Sequence, residues 1–539
     1  MKTLRYLSTT AFVVSLAMFA SCSSDNDIET NNENNTNNGN TNSEKLVFSA
    51  SIVPNEVTRA TLNEDDKTLH WEANDQIAVF SPINDTKLQF DIDNKYAGET
   101  IAYFTSTMSG LSDPTNFSGN PYYFAFYPYS AVSKIAQVST SVGYNRVSVN
   151  LPSEQKVTAQ DLANGITYDK SAMLMMARAT PSEKAFEFKN VNALLKVTIS
   201  NNADGDVKYI KVFSNNSSKL MSGTLQAFIN NDGITTTYTS GQDLAPQNYV
   251  QLEIPASPNN DPIDYYISVF QDQHATGFTL LLESEFDADR GSQYIYQRRY
   301  TGDITFNKSV IYNMGTYDVS SLTFLDNVVD LGLPSATIWT TKNLEDGDNG
   351  KAKFVDNMYS YGGYYSWGET RTKDTNKYNQ SNYALYNRSD VYSSNVLLTN
   401  YDVAYQMNSV YRMPSYTQFT ELLNAGFTKT NTLSGSGNRG IKFTNSKGRY
   451  IWFPAGGCNY GAGGLFSASA SSSVHDAGTI AQYWSRSVKH PDSDQNSEIY
   501  ASCFDIDRNG EYAHGVLSGT GPGYDRRFAG KSIRPVLYK

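Results

Sequence analysis

Cysteine has the most reactive side chain in this sequence, and its three occurrences fall into two settings. Cys22 follows a basic start and the apolar run AFVVSLAMFA (11–20). That run is too short to cross a bilayer and is typical of an export signal. Cys458 and Cys503 lie far apart in the sequence. In an oxidising compartment they could form a disulfide or remain two separate buried thiols.

An acidic segment near the C terminus carries part of a metal-binding pattern. Asp505-Ile-Asp507-Arg-Asn509-Gly510 matches the start of a calcium loop, but Val516 stands where a bidentate Glu is required. Phe504 and Ile506 alternate with the two Asp residues, and Asn-Gly is a common two-residue hairpin turn. We therefore predict a surface hairpin, no metal site and no cofactor.

The sequence lacks the motifs of the common enzyme classes. It contains no nucleophile elbow, no HExxH and no phosphate-binding loop. A carboxylate pair of the glycosidase type leaves no sequence signature and stays open. The net charge of −11 argues against nucleic acid as a partner, because phosphate binding needs a basic surface. We expect a protein that binds or assembles and is not an enzyme.

The elements that must position these residues are mostly strands, which predicts a mainly β fold. Alternating apolar segments such as LVFSASIV (46–53) are separated by Gly, Asn, Asp and Pro, the pattern of antiparallel sandwiches. The region is too long for one small sandwich, so we predict two, at 45–181 and 182–322. Residues 22–44 are largely low-complexity Asn and Thr with little to bury, and we expect a flexible tether there.

Three segments of the β-rich half resemble the fimbrillin-like family, whose members build lipid-anchored bacterial pili. They are FSASIVPNEVTRATLNEDDKTLHWEANDQIAVF (48–80), SAMLMMARAT (171–180) and FEFKNVNALLKVTIS (186–200). The resemblance implies two transthyretin-like β-sandwiches. It also implies that a protease cuts after an Arg in an early loop, and that a strand from another pilin subunit fills the groove left by the first strand.

Arg59 matches that cleavage position, because it lies between the first predicted strand and Trp71. The alternative is an ordinary exposed Arg in a turn. We expect Trp71 to be a core residue and Asp75 to order the turn into the next strand.

The start of the chain resembles the lipobox of bacterial lipoproteins, in Phe19-Ala20-Ser21-Cys22. The resemblance implies that 1–21 are a signal peptide, removed before Cys22, and that Cys22 carries acyl chains that anchor the protein in a membrane. The segment SSDND (23–27) is similar to a surface-export signal and implies a location on the outer membrane, facing outwards. The alternative is a plain signal peptide that happens to precede a Cys.

Residues 324–539 differ in composition from the preceding region and contain more Gly and Trp. The blocks that carry a resemblance are VVDLGLPSATIWTTKNL (328–344), YYSWGET (364–370), YRMPSYTQFTELLNA (411–425), IWFPAGG (451–457), YWSRSV (483–488) and SIRPVLYK (532–539). The set resembles the FISUMP-type major paralogous domain, which is similar to the C-type-lectin and sulfatase-modifying-factor fold. This implies an irregular α+β, C-type-lectin-like domain, although the sugar-binding and calcium-binding motifs Glu-Pro-Asn and Trp-Asn-Asp are missing.

Local patterns in this region predict one helix and a buried set of tryptophans. Ser415 and Gln418 form a capping box, the apolar residues that follow recur on one face, and Gly426 marks the end. We expect core packing for the four tryptophans of the blocks, which are Trp339, Trp367, Trp452 and Trp484.

These observations together predict a surface-exposed fimbrial subunit or adhesin, at the tip of a pilus, that presents a lectin-like head to a host or bacterial glycan or protein. Loops at 431–439, 459–475 and 519–527 form the candidate ligand surface, with Tyr460, Tyr524 and Arg526 as contact residues. The alternatives are a glycan-capturing lipoprotein beside an outer-membrane transporter and a structural lipoprotein without a ligand.

Overall fold

The computed structural model describes residues 46–52, 56–58, 70–81, 86–108, 110–115, 121–137, 145–230, 233–238, 244, 247–434, 437–461, 474–488, 499–507 and 523–537. Strands dominate these residues, which confirms the predicted mainly β fold. Cys22, Arg59 and the predicted tether lie outside the described residues. Among the described residues, no helix has the length and apolar composition needed to cross a bilayer.

Eleven strands and one short helix are found among the described residues of the first part of the chain. Their bounds are β1 Val47–Ile52, β2 Glu56–Thr58, β3 Gln76–Phe80, β4 Leu88–Ile92, β5 Ile101–Thr105, β6 Tyr123–Tyr127, β7 Val132–Gln137, β8 Asn145–Leu151, β9 Glu154–Lys156, α1 Ala159–Ala163, β10 Met175–Ala179 and β11 Ala185–Asn190.

Seven of these strands close into a barrel in the order β1-β11-β10-β6-β3-β4-β5. The sheet closes because β1 pairs with β5 on one side and with β11 on the other. Burial alternates along β11, where Phe186 and Phe188 point inwards and Glu187 and Lys189 point outwards. The barrel therefore has one apolar interior that includes Phe48, Trp71 and Phe104.

The second part begins at β12 and forms a two-layer packing. The strands are β12 Ala193–Ser200, β13 Tyr209–Ser214, β14 Gly223–Asn230, β15 Gly233–Tyr238, β16 Tyr249–Glu253, β17 Ile263–Val269, β18 Asp272–His274, β19 Phe278–Glu283, β20 Gln293–Tyr300, β21 Ile304–Phe306 and β22 Val310–Asp318. The sheet β17-β12-β22-β2 faces strands β13, β16 and β19 across a shared core. Every residue of β12 is buried, as expected for a central strand covered on both faces.

Strand pairing crosses the predicted boundary at 181 and 182. Strand β8 pairs with β14 in the sheet β15-β14-β8-β7, and β9 runs parallel to β16 in another sheet. Conversely, β11 lies within the predicted second domain, yet it pairs with β1 and is part of the barrel of the first. Such pairing depends on residues far apart in sequence, which local patterns do not reveal.

Where the structure describes the third part, it shows two α-helices and many short strands. They are β23 Leu325–Asp330, β24 Ile338–Thr340, β25 Leu344–Asp346, β26 Ala352–Phe354, β27 Tyr392–Ser393, β28 Val396–Leu397, α2 Val403–Met407, β29 Tyr411–Arg412, α3 Tyr416–Asn424, β30 Thr428–Leu433, β31 Arg439–Thr444, β32 Tyr450–Pro454, β33 Cys458–Asn459, β34 Val474–His475, β35 Ile480–Trp484, β36 Tyr500–Asp507, β37 Tyr524–Arg526 and β38 Val536–Leu537. Single turns of 3-10 helix begin at Asn94, Tyr129, Lys170, Val319, Thr375, Gln380 and Thr399.

A nine-stranded sheet joins the second and third parts in the order β29-β38-β24-β23-β20-β19-β13-β16-β9. The link is the antiparallel contact of β20 with β23, which includes Gln293 opposite Val328. The sheet therefore continues across the predicted boundary at 322 and 324.

The one helix predicted from the sequence is confirmed. Ser415 Oγ accepts from the backbone N–H of Gln418 at 3.2 Å, and the Gln418 side chain accepts from the Ser415 N–H at 2.8 Å. Phe419 and Leu422 on α3 are buried, and Gly426 has a φ of +70°. The four tryptophans of the sequence blocks are also buried, as predicted.

Candidate functional site

Strand β1 fills a slot between two strands that do not pair with each other. It runs antiparallel to β5, from Val47 opposite Thr105 to Ser51 opposite Ile101. On its other edge it runs parallel to β11, from Ser49 opposite Ala185 onwards. Without β1, both β5 and β11 would present unpaired N–H and C=O groups, which is the condition for accepting another strand.

The slot is apolar on its inner side. Phe48 and Ala50 of β1 point into the barrel and are 0% and 1% exposed. The Phe48 ring lies 4.8 Å from the Phe186 ring, 5.2 Å from that of Tyr123 and 5.3 Å from that of Phe90, measured between centroids. Burying one Phe side chain stabilises a fold by about 1.5–3 kcal/mol. A strand that enters the slot therefore needs an aromatic residue at the position of Phe48 and a small residue at the position of Ala50.

Trp71 fastens β1 through a side-chain hydrogen bond. Its indole Nε1 donates to the backbone oxygen of Ala50 at 3.1 Å, and the side chain is fully buried. Its ring packs edge-on against Phe104 and Phe188, which belong to the two strands beside β1. The sequence correctly places Trp71 in the core, but it gives no sign of the hydrogen bond to the first strand.

Asp75 orders the turn that follows Trp71, as predicted. Its Oδ2 accepts from the Glu72 N–H at 2.7 Å, and its Oδ1 accepts from the Tyr127 hydroxyl at 3.0 Å. Burial raises the pKa of Asp75 above its usual value, and these two hydrogen bonds oppose that rise. The turn thus holds Trp71 at a fixed position beneath β1.

Strand β2 continues from the same N-terminal segment and lies at the edge of the second sheet. It pairs in parallel with β22, with Glu56 opposite Val310. Arg59, which lies outside the described residues, follows directly after β2 in the sequence. A cut after Arg59 would separate β1 and β2 together from the rest of the chain.

A groove of about 890 Å³ with a mixed polar and apolar lining lies beside this slot, on the outer surface of β10 and β11. Tyr122, Arg178, Glu187 and Lys189 are among its lining residues. The Arg178 guanidinium lies 4.6 Å from the centre of the Tyr122 ring. No residue of this groove was predicted as a site, because its members come from distant parts of the sequence.

The predicted contact residues of the third part meet at β37, but not as an open surface. Tyr460 is only 2% exposed, because its hydroxyl donates to the Asp525 carboxylate within the fold. This burial contradicts its predicted role as a ligand contact. Tyr524 and Arg526 flank Asp525 on β37 and are partly exposed. The loops at 462–473 and 508–522 lie outside the described residues.

Cys458 and Cys503 are free thiols, so the disulfide offered as one alternative is not formed. They lie in different sheets, on β33 and β36, and the Cys503 thiol donates to Asp505 Oδ2 at 3.5 Å. Burial raises the pKa of Cys458 to about 12, which keeps this thiol protonated and unreactive. Among the described residues, no group of three or more His, Cys, Asp or Glu could hold a metal ion.

No protein-family model matches this sequence, and the search of curated proteins finds no relative. A Bacteroides ovatus structure provisionally named a cell adhesion protein has 15% identity and a TM-score of 0.27, covering 52% of this chain and 96% of its own. A Bacteroides fragilis structure with the same provisional name has 12% identity and a TM-score of 0.25, covering 52% and 97%. A fimbrial protein structure from Bacteroides ovatus has 9% identity and a TM-score of 0.22, covering 92% and 100%.

Proposed function

We propose that this chain is a cell-surface fimbrial subunit or adhesin that assembles by strand addition and carries residues 324–539 as its head. In this proposal Cys22 holds the lipid anchor in the outer membrane, and cleavage after Arg59 releases β1. A strand of another subunit then enters the slot. The observation that carries the proposal is that β1 forms one strand of the barrel wall, hydrogen-bonded to β5 on one edge and to β11 on the other.

The geometry of β1 supports this reading because the strand is both internal to the sheet and first among the described elements. Only one covalent connection, through the segment after β1, joins it to the later strands. A single cut therefore suffices to make it exchangeable. The apolar pocket of Phe48 then gives an incoming strand an anchor, while the edges of β5 and β11 supply backbone hydrogen bonds.

The first experiment determines the N terminus of the mature protein on intact cells by mass spectrometry. We expect the mature chain to begin at Ala60, and Arg59→Ala to leave it beginning at the lipidated Cys22. Arg290→Ala is the matched control, since Arg290 is an exposed arginine in a turn far along the chain. A wild-type chain that retains residues 47–58 in its assembled form would contradict the proposal.

The second experiment tests the slot itself. After cleavage, we expect the chain to bind a labelled peptide of sequence LVFSASIV (46–53) and not the same peptide with Asp at the positions of Phe48 and Ala50. Strand addition would be contradicted if the cleaved, folded chain bound both peptides equally well, or if it bound neither of them.

A second candidate function is capture of a glycan in the groove beside the slot. The groove combines an aromatic ring, Tyr122, with acidic and basic side chains, a lining that suits a polar ligand with one apolar face. Glycan-array binding that is lost in Tyr122→Ala, with β1 exchange unchanged, would favour this function.

A further inference from the structure

Four charged side chains lie buried together where the second and third parts of the chain share the nine-stranded sheet. Lys211 lies on β13, Glu283 on β19 and Asp330 at the end of β23, and Arg449 directly precedes β32. Lys211, Glu283 and Asp330 are each no more than 1% exposed. Charges buried this deeply are costly unless they are paired or neutralised, so the cluster calls for a chemical explanation.

The amine of Lys211 and the carboxyl group of Asp330 are in direct contact. Lys211 Nζ touches Asp330 Oδ2, and the other oxygen, Oδ1, accepts from the Gly332 N–H at 2.9 Å. Nζ also lies 4.4 Å from the centre of the Tyr249 ring. One carboxyl oxygen of Asp330 therefore contacts the amine, and the other accepts from a backbone donor.

Glu283 supplies a second carboxyl group at this place. Arg449 Nη1 lies 3.7 Å from its Oε2, and its carboxyl group is within hydrogen-bonding reach of the Asp330 carboxyl group. Burial, followed by the negative charge of Asp330, raises the pKa of Glu283 to about 8. At neutral pH this side chain is therefore mostly a carboxylic acid, which can give up one proton and take up another.

We propose that Lys211 and Asp330 condense to an isopeptide bond, with Glu283 carrying protons between the reacting groups. Lys211 first passes a proton to Asp330 Oδ2, and the neutral amine attacks the carboxyl carbon. The negative charge that develops on Oδ1 is stabilised by the Gly332 N–H. Glu283 gives its proton to the departing Oδ2 hydroxyl and takes one from Nζ.

The step balances without any further reactant. The Nζ–Cγ bond forms, the Cγ–Oδ2 bond breaks, one water molecule leaves, and no atom changes oxidation state. Glu283 ends as it began, protonated. One feature favours condensation over a permanent ion pair: the amine and the carboxyl group are held in contact by side chains that are no more than 1% exposed.

Peptide mass spectrometry of the purified full chain, denatured and digested, tests the proposal. We expect one joined peptide containing Lys211 and Asp330, with a mass lower than the sum of the two by one water molecule. Lys211→Arg keeps the positive charge but removes the attacking amine, and Glu283→Gln keeps the shape but removes the proton carrier. Both variants should lose the joined peptide completely.

Glu253→Gln is the matched control, since Glu253 is a partly exposed carboxylate on the neighbouring β16 with ion pairs to Lys156 and Lys208. This variant should keep the joined peptide. If either test variant fails to fold, the wild-type digest still decides. Separate, unmodified peptides for Lys211 and Asp330 from a wild-type chain that unfolds cooperatively would overturn the proposal. That outcome would leave the strand-addition function untouched, because β1 takes no part in the cluster.

Discussion

At the scale of single residues, two buried side chains, Trp71 and His274, each contribute to stability through one hydrogen bond. Trp71 donates to the backbone of β1, and His274 makes a contact of 2.9 Å between its Nδ1 and Ser214 Oγ. Both side chains are fully buried, so the loss of either hydrogen bond leaves a polar group away from water. The two residues therefore make separate predictions, one for strand retention and one for pH dependence.

Trp71→Phe should weaken the hold on β1 while keeping most of the aromatic packing. The loss of one buried hydrogen bond costs about 1 kcal/mol of unfolding free energy, and the cleaved chain should exchange its β1 peptide faster. Urea unfolding and peptide release measure the two effects. Trp452→Phe, which removes an indole donor in the third part, should lower stability without changing peptide release. Equal rates of β1 peptide release in the two variants would show that the Trp71 hydrogen bond does not hold β1 in place.

His274 predicts a loss of stability in mild acid. Burial lowers the pKa of His274 below its ordinary value, and its Nε2 has no hydrogen-bond partner among the described residues. The unfolded chain thus binds a proton more readily than the folded chain, so this contribution to stability is present above about pH 6.5 and is lost as the pH falls. His274→Gln should show a smaller fall in urea midpoint between about pH 7.5 and about pH 5.5. An unchanged slope would contradict the assignment.

At the scale of elements, β1 combines backbone pairing on both edges with side chains that belong to the barrel core. The sequence predicts its position almost to the residue, 46–53 against the observed Val47–Ile52, because alternation is a local signal. Its partners could not be predicted, since β11 lies more than a hundred residues away. The same distinction separates the correctly predicted helix α3, which depends on a local capping box, from the sheet that crosses both predicted boundaries.

Phe48→Ala should remove the main side-chain anchor of β1. Replacing a fully buried Phe by Ala costs about 3–5 kcal/mol, and the cavity lies between β1 and the strands around it. Thermal unfolding of the uncleaved chain and peptide affinity of the cleaved chain should both decrease. Val47→Ala is the control, because Val47 is 40% exposed, and it should change stability by less than about 0.5 kcal/mol. Similar effects of the two substitutions would show that Phe48 is not the anchor.

At the scale of the whole molecule, the third part is not an appendage on a linker. Strands β23, β24, β38 and β29 extend the sheet of the second part, and Asp330 lies against Lys211 across that join. The sequence composition does change near Phe324, but composition alone does not show whether strands on the two sides of that point pair in one sheet. The buried thiols and the buried Tyr460 reflect the same limit, because burial depends on what packs from elsewhere in the chain.

A chain that ends at residue 322 should therefore be unstable. The truncation uncovers the edge of β20 and leaves the buried Lys211 amine without Asp330, and a buried charge left without its partner costs about 3–5 kcal/mol. We expect aggregation in size-exclusion chromatography and a lower unfolding temperature than that of the full chain. A soluble monomer with unchanged thermal unfolding would show that the second part folds independently.

The two unlike neighbours of β1 have a consequence for any fibre built through that slot. A replacement strand must run antiparallel to β5 and parallel to β11, and a strand inserted in reverse would fit neither ladder. Each added molecule would thus join in the same sense, by a head-to-tail contact, which builds an open filament wherever the rotation between neighbours does not close a ring. Such a polymer has two chemically different ends, so growth and termination can be controlled separately at each.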